Sequence, residues 1–261
     1  MPHKILKNMK TKKILGIDVG GSGIKGAVVN TKTGEMQSDR YRIETPVGAK
    51  PDDVAGIIET ICQKFSWEGP IGVGFPAVVQ HGVAKTAANI DKSFIGLNVE
   101  KLITARTNCP VKVVNDADAA GFAEMKFGAG VDKSGVVVLI TVGTGIGTVI
   151  FSDGKLLPNT ELGHIIMPGD REAEPYACDA TRKKLELSWE QWALRFNEYL
   201  HYIEDLFWPD LFIIGGGVSK HENKIFSHFD VRTKIVPAQL LNNAGIIGAA
   251  IAAKQAFKDI D

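Results

Sequence analysis

ILGIDVGGSGIKGAVVN, Ile14 to Asn30, decides the fold. A β-rich run leads to the carboxylate of Asp18, the glycines of GGSG turn the chain, and the β-branched IKGAVVN reads as a returning strand. The result is a hairpin with an acid at its bend. About one domain length further on, VVVLITVGTGIGTVIF, Val136 to Phe151, repeats the theme: two apolar strands joined by a turn of glycine and threonine. Duplication of one hairpin-led unit predicts a two-lobed α/β protein.

The residues between the two hairpins alternate strand and helix signals. YRIET reads as a third strand, and Pro51 to Phe65 spaces Val54, Ile57, Ile58, Ile61 and Phe65 as one helical face. IGVGFPAVV returns to strand, Asn98 suits the N-cap of another helix, and VKVVND is a strand running into a helix at about Ala117 to Phe127. Beyond the second hairpin, Ser188 and Gln191 have capping-box spacing ahead of a helix to Phe207, whose stripe of Trp189, Trp192, Phe196, Leu200, Ile203 and Phe207 belongs to a core or an interface. LFIIGGGVS is a strand entering a glycine turn, and Ala244 to Phe257 is an apolar closing helix. The expected division is an N-terminal lobe over residues 12–116, joined by the C-terminal helix 243–261, and a C-terminal lobe over 117–242.

Thirty basic and 30 acidic side chains cancel in a chain of 261 residues, so no overall field draws it to nucleic acid or to an anionic membrane. Cys62, Cys109 and Cys178 are odd in number and widely spaced, which fits buried thiols in a reducing compartment, with the cytoplasm as the expected location. The basic start MPHKILKNMKTKK lacks the apolar stretch and cleavage pattern of a secretory signal. Ser134 to Ser152 is uncharged and long enough to span a bilayer, but Gly143, Gly145 and Gly147 break it into strands around a turn.

Five stretches carry candidate chemistry. In DVGGSGIKG the glycines let backbone N–H groups approach an anion and Lys25 adds a charge, so phosphate is the natural ligand. A dinucleotide fingerprint over Gly21, Gly23 and Gly26 fails because a strand, not a helix, follows. In VVNDADAAG, Asn115 and Asp116 end a strand where an α/β sheet collects functional groups, and an aspartate there can accept a hydroxyl proton. Taken alone, the motif favours Asp116 or Asp118 as the N-cap of the following helix. TELGHIIMP sets Glu161 near His164, while GTGIG and the glycines 215–217 offer two further phosphate turns. His164 with Cys178 falls short of the four ligands of a structural zinc.

In this order, the motifs resemble the sugar kinases of the repressor, open reading frame, kinase (ROK) family, within the actin/hexokinase-like (ribonuclease H-like) superfold. TAANIDKSFIG, VVNDADAAG, ELGH and KKLELSWEQWA look more narrowly like its polyphosphate glucokinase and polyphosphate/ATP glucomannokinase branch. The resemblance implies a cleft between duplicated lobes and Asp116 as the base that takes the proton of the glucose 6-hydroxyl. It implies that Asn89, Asn115, Glu161 and His164 bind the sugar. Asp18, Gly20, Gly21, Ser22, Gly23 and Lys25, with Gly143, Thr144 and Gly145, would hold phosphoryl groups, and Gly215, Gly216 and Gly217 would lie near a nucleotide if ATP is used. Asp18 would position Mg2+ indirectly.

The cysteine-rich zinc loop that typical family members carry after Glu-Leu-Gly-His is replaced here by YACDATRKK with one cysteine, so no zinc is expected. The resemblance also implies a homodimer, with glucose and polyphosphate or ATP as partners. The alternatives are a strictly ATP-dependent glucokinase or other hexose kinase, and a sugar-sensing regulator of the same family. The second needs a DNA-reading domain, for which the 13 residues before Ile14 are too few.

Overall fold

The computed structural model describes residues 13–87 and 90–257. It forms two compact units, one holding residues up to Ala123 and again from Asn243, the other Glu124–Asn242.

The first unit opens with the hairpin: β1 (Lys13–Gly20) pairs antiparallel with β2 (Gly23–Asn30), and β3 (Tyr41–Ile43) extends it. Helix α1 (Pro51–Lys64) starts with proline in its first turn and with Asp53 accepting the Lys50 N–H at 2.9 Å, then buries Val54, Ile58 and Ile61. β4 (Ile71–Phe75) lies parallel to β1, a small hairpin of β5 (Val79–Gln80) and β6 (Val83–Ala84) follows, and α2 (Val99–Thr107) is capped by the Asn98 side chain. β7 (Val111–Asn115) joins β4 in parallel and runs directly into α3 (Asp116–Phe127). The sheet order is β3-β2-β1-β4-β7.

The second unit repeats this plan. β8 (Val136–Val142) and β9 (Ile146–Ser152) form its hairpin, with β10 (Lys155–Leu157) at the edge. A short hairpin of β11 (Ile166–Met167) and β12 (Arg171–Glu172) leads into α4 (Ala173–Ala177) and α5 (Asp179–Lys184). The long α6 (Trp189–Phe207) has the expected Ser188–Gln191 capping box. Its aromatic stripe is core: Trp192, Phe196, Leu200 and Ile203 are fully buried. β13 (Leu211–Gly216) lies parallel to β8, α7 (Glu222–Ile225) follows, and β14 (Lys234–Pro237) closes a sheet of order β10-β9-β8-β13-β14. The two sheets share one strand order and one pattern of parallel and antiparallel pairs. The fold is the duplicated α/β architecture of the actin/hexokinase-like proteins.

The chain then returns to the first unit as α8 (Ala244–Ala256), apolar on nearly every face and buried accordingly. Its backbone lies against the sheet so closely that a Cβ on Gly16 would sit 2.0 Å from the Ile246 carbonyl oxygen, and one on Gly72 1.8 Å from that of Ala249. Gly248 of α8 meets the Ala119 carbonyl oxygen of α3 in the same way, at 1.5 Å. That contact places residues 117–123 with the first unit, whereas the sequence reading divided the lobes after Asp116. The three cysteines are buried and unbridged, and burial pushes the Cys62 thiol up to about 12.

Because these contacts are backbone against backbone, no rotamer change relieves them. Gly72→Ala and Gly248→Ala are each expected to cost about 3 kcal/mol or more, beyond ordinary overpacking. Gly217→Ala, where a Cβ meets open space, should cost less than about 1 kcal/mol. Urea denaturation of the three variants checks the contrast.

Candidate functional site

Strand register decides what the first unit can present. Asp18 pairs with Gly74 across β1 and β4, and Phe75 with Asn115 across β4 and β7. Asp18, Asn115 and Asp116 therefore collect at the carboxyl ends of parallel strands, where open α/β sheets bind ligands. Asp18 also faces Lys25 across the hairpin, and their side chains meet at 3.3 Å. Gly245 lies against the other side of Asp18, where a Cβ would come within 3.0 Å of its Cγ.

Asn115 is the cap of α3. Its buried Oδ1 accepts the N–H groups of Ala117 and Asp118 at 2.8 and 3.1 Å, while its Nδ2 donates to the Ala77 carbonyl at 3.1 Å. The helix therefore begins at Asp116, which sits half-buried in its first turn with Oδ1 2.9 Å from the Ala117 nitrogen. The capping role that the sequence offered to Asp116 or Asp118 falls chiefly to Asn115.

The first glycine turn is tight: Gly20 pairs with Gly23, leaving exposed Gly21 and Ser22 at the tip. Its glycines have a reason beyond anion approach. The Arg42 guanidinium donates to the Ser22 carbonyl at 2.5 Å and lies where a Gly23 Cβ would be, 2.5 Å from Nε. Thr45 Oγ1 donates to the Gly20 carbonyl at 2.7 Å. Asn89 lies outside the described residues.

In the second unit, the other two glycine turns leave neighbouring parallel strands, since Gly216 pairs with Val142 immediately before Gly143. Gly216 has φ +77°, and a Cβ there would fall 2.3 Å from the Val142 carbonyl oxygen, so only glycine fits. The turn Gly143, Thr144, Gly145 closes through a Gly143 N–H to Gly145 carbonyl bond of 2.9 Å and leaves Thr144 exposed. Glu174 supports it from below: its Oε2 accepts the Ile146 N–H at 2.7 Å and occupies the space of a Gly145 Cβ. Gly217 faces open space in the 3-10 turn that follows β13.

Glu161 and His164 flank a 3-10 turn, Leu162–His164, stapled to β9. Buried Thr148 receives the Leu162 N–H on its Oγ1 at 3.0 Å and exchanges hydrogen bonds with Thr160, while Gly163 lies so close to the Ile146 carbonyl that a Cβ would be 2.4 Å away. His164 Nε2 is 3.8 Å from Glu161, and Nδ1 is 2.7 Å from Glu172. The Glu172 bond holds the imidazole pKa above its ordinary value, with the Glu174, Glu161 and Glu172 charges adding to it against a smaller opposing effect of burial. Burial pushes the Glu161 carboxyl up, with His164 pulling partly back and Glu174 adding to the rise. Glu172 and Glu174 escape sequence reading because they reach the site through a reversal at Pro168, Gly169 and Asp170. The only signal of it is that turn-forming triplet.

The first unit carries a strand-end aspartate with its asparagine and a glycine turn, and the second a glutamate–histidine pair with two glycine turns. Among the described residues no helix is long and apolar enough to cross a membrane, and no group of three or more His, Cys, Asp or Glu is placed to hold a metal ion.

Known proteins resemble the chain along nearly its whole length. The chain is 48% identical over 238 residues to a polyphosphate glucokinase of Mycobacterium tuberculosis, covering 91% of this chain and 89% of that protein. The crystal structure of an inorganic polyphosphate/ATP-glucomannokinase from Arthrobacter superposes with a TM-score of 0.88 at 44% identity, over 94% of this chain and 99% of that one. A ROK family glucokinase from Streptomyces griseus, solved with glucose and AMPPNP, gives a TM-score of 0.77 at 25% identity over 93% and 99% of the two chains. With the ROK family model matching residues 14–184, these likenesses and the strand-end site establish that the chain belongs to the ROK family.

Proposed function

We propose that the protein is a glucokinase that transfers a phosphoryl group from polyphosphate to the 6-hydroxyl of glucose, giving glucose 6-phosphate. The carrying observation is Asp116, held at the end of β7 by the Asn115 cap, in a chain nearly half identical to a polyphosphate glucokinase. Phosphoryl transfer asks a protein for positioning and charge neutralisation more than covalent chemistry. The glucose 6-oxygen attacks the terminal phosphorus, the bridging P–O bond breaks, and the shortened polyphosphate leaves with the bond's electron pair. Asp116 takes the hydroxyl proton. Asn89, Asn115, Glu161 and His164 are the proposed sugar ligands. Residues Gly20 to Lys25 and Gly143 to Gly145 are the proposed phosphate cradles, and Gly215 to Gly217 would serve ATP as a second donor.

Asp18 suits Mg2+. It is a hard oxygen donor, partly exposed and bounded by a glycine on one side, and magnesium asks the protein for only one or two carboxylates because phosphates and water complete its shell. Asp18 would hold the ion through water, and the bound ion would neutralise charge on the donor phosphates. The missing cysteine loop supports a protein without resident zinc, its unbridged buried thiols support the cytoplasm, and the family resemblance alone supports a homodimer, since the α6 stripe is core.

Basic residues are the proposed reader of a long phosphate chain. Lys85, Lys92, Lys126, Arg182, Lys183 and Lys184 are the candidates from sequence, but Asp179 already binds Arg182 and Lys183, each at 2.7 Å, and Arg182 also lies 3.9 Å over the Trp189 ring. Lys184 is exposed on the same short helix.

Asp116→Asn keeps the shape and removes the base, so kcat should fall ~10²- to 10⁴-fold, about 3 to 5 kcal/mol of barrier, with the glucose KM little changed. Near-wild-type turnover would reduce Asp116 to the start of a helix. Initial rates with glucose and either long-chain polyphosphate or ATP, at matched phosphoryl concentration across a salt series, test the donor. The polyphosphate KM should climb with salt as counterion release predicts, while the glucose KM holds. Product from ATP alone would replace this assignment with an ATP-dependent hexose kinase. Elemental analysis of the purified protein should find substoichiometric zinc, and activity should require added magnesium; one tightly held zinc per chain would refute the zinc-free reading.

A further inference from the structure

We propose that Glu172 is a positioning residue for glucose recognition, fixing the ring and tautomer of His164 so that Nε2 is presented to a sugar hydroxyl as an acceptor. The inference rests on the reading that His164 contacts glucose and adds what that reading lacks, a reason for the imidazole to have one orientation.

The arrangement follows from local folding. The 3-10 turn ending at His164 is pinned to β9 by Thr148 and by the close approach of Gly163. After it, β11 and β12 reverse the chain with Ile166 opposite Glu172, and the Ala173 N–H closes the hairpin on the Ile165 carbonyl at 3.0 Å. Glu172 is thereby carried back to the histidine, its Oε1 2.7 Å from Nδ1. An ionised carboxylate only accepts, so the Nδ1 position must carry the hydrogen, and in the neutral ring Nε2 is left with a lone pair.

Glu161 stands 3.8 Å from Nε2, beyond direct hydrogen-bond reach. The pair thus offers two acceptors, one neutral and one anionic, spaced for adjacent hydroxyls that each donate one hydrogen. A vicinal diol of a hexose is the ligand chemistry that fits. A sugar lacking one of those hydroxyls would leave an acceptor unpaired, which a site built for hydrogen bonds penalises heavily.

Protonation ends the arrangement. The carboxylates acting on the ring are Glu172 from β12, Glu161 from the turn and Glu174 from α4, while β9, which holds the turn through Ile146 and Thr148, carries no charged residue. They favour the imidazolium, so the charged form persists to higher pH than for a free histidine. In that form both ring nitrogens are donors, so Nε2 offers a hydrogen instead of a lone pair and the acceptor is lost to the sugar. The glucose KM should therefore rise as pH falls through the raised histidine pKa.

The test is steady-state kinetics with glucose and with the phosphoryl donor varied separately, from acid to alkaline sides of the imidazole range. Glu172→Ala should raise the glucose KM about tenfold at neutral pH, with kcat and the donor KM within about twofold. Glu172→Gln keeps an oxygen for Nδ1 but removes the charge, so its neutral-pH KM should stay near wild type while the acid limb of the KM profile moves to lower pH. Should Glu172→Ala fail to fold, the Glu172→Gln shift decides alone. An unchanged glucose KM and pH profile in the Glu172 variants, alongside a raised KM in His164→Gln, would overturn the positioning role. So would equal damage to glucose and donor KM, which marks general loss of structure. An unchanged glucose KM in His164→Gln would instead refute the parent reading that His164 meets the sugar.

Discussion

The close approach of the last helix to the first sheet is the constraint on which the first unit depends. Gly16 and Gly72 on adjacent strands and Gly248 on α8 remove the side chains that would hold the backbones apart. The gain is contact density: α8 buries Ile246, Ile247 and Ile251 against strands that are themselves apolar, and interiors lose free energy for even a missing methylene. The same approach brings Gly245 to the Asp18 carboxylate and carries α3, with Asp116 in its first turn, against α8 through Ala119. Packing and site geometry here share one cause.

The second unit solves the same problem by different means. Its hairpin and parallel strands repeat the first unit's order, but the layer over the sheet is the aromatic stack of Trp192, Phe196 and Tyr199 on α6. The end of α6 is tied to the segment entering β14 by buried Glu204, which accepts from the Arg232 and Thr233 backbones and from the Arg232 guanidinium. Burial works to raise this carboxyl, and the bonds from Thr233 and Arg232 outweigh it and hold its pKa low. A buried charge with that many donors can remain ionised in a site that would otherwise expel it.

Much of this was legible because it was written in local chemistry. Alternating β-branched runs broken by glycines marked both hairpins, the Ser188–Gln191 spacing marked the start of α6, and Asn98 marked α2. The strand-end position of Asn115 and Asp116 was legible too, but the division of labour between them was not. It depends on which residue the helix takes as its first, and the buried Asn115 side chain, bonded both forward to α3 and back to Ala77, settles that through a contact 38 residues away. The Arg42 guanidinium of β3 against Gly23 is a neighbour that the glycine motif alone does not announce. Glu172 and Glu174 were invisible because nothing in their spacing from His164 has a periodicity; a two-strand reversal brings them there. Arg182 and Lys183, candidates for meeting a phosphate chain, are already paired with Asp179, a contact that only the helical turn brings about.

The split of the first unit around the second has a consequence for biosynthesis. On a ribosome, domains generally fold as units in the order of their emergence. Here the unit that emerges first lacks α8, and the strip of Gly16 and Gly72 stays uncovered until residues 244–256 leave the exit tunnel. The inserted unit is contiguous and complete by then. The unit begun first is thus finished last, and for the interval its sheet lacks the apolar helix that covers it in the finished fold.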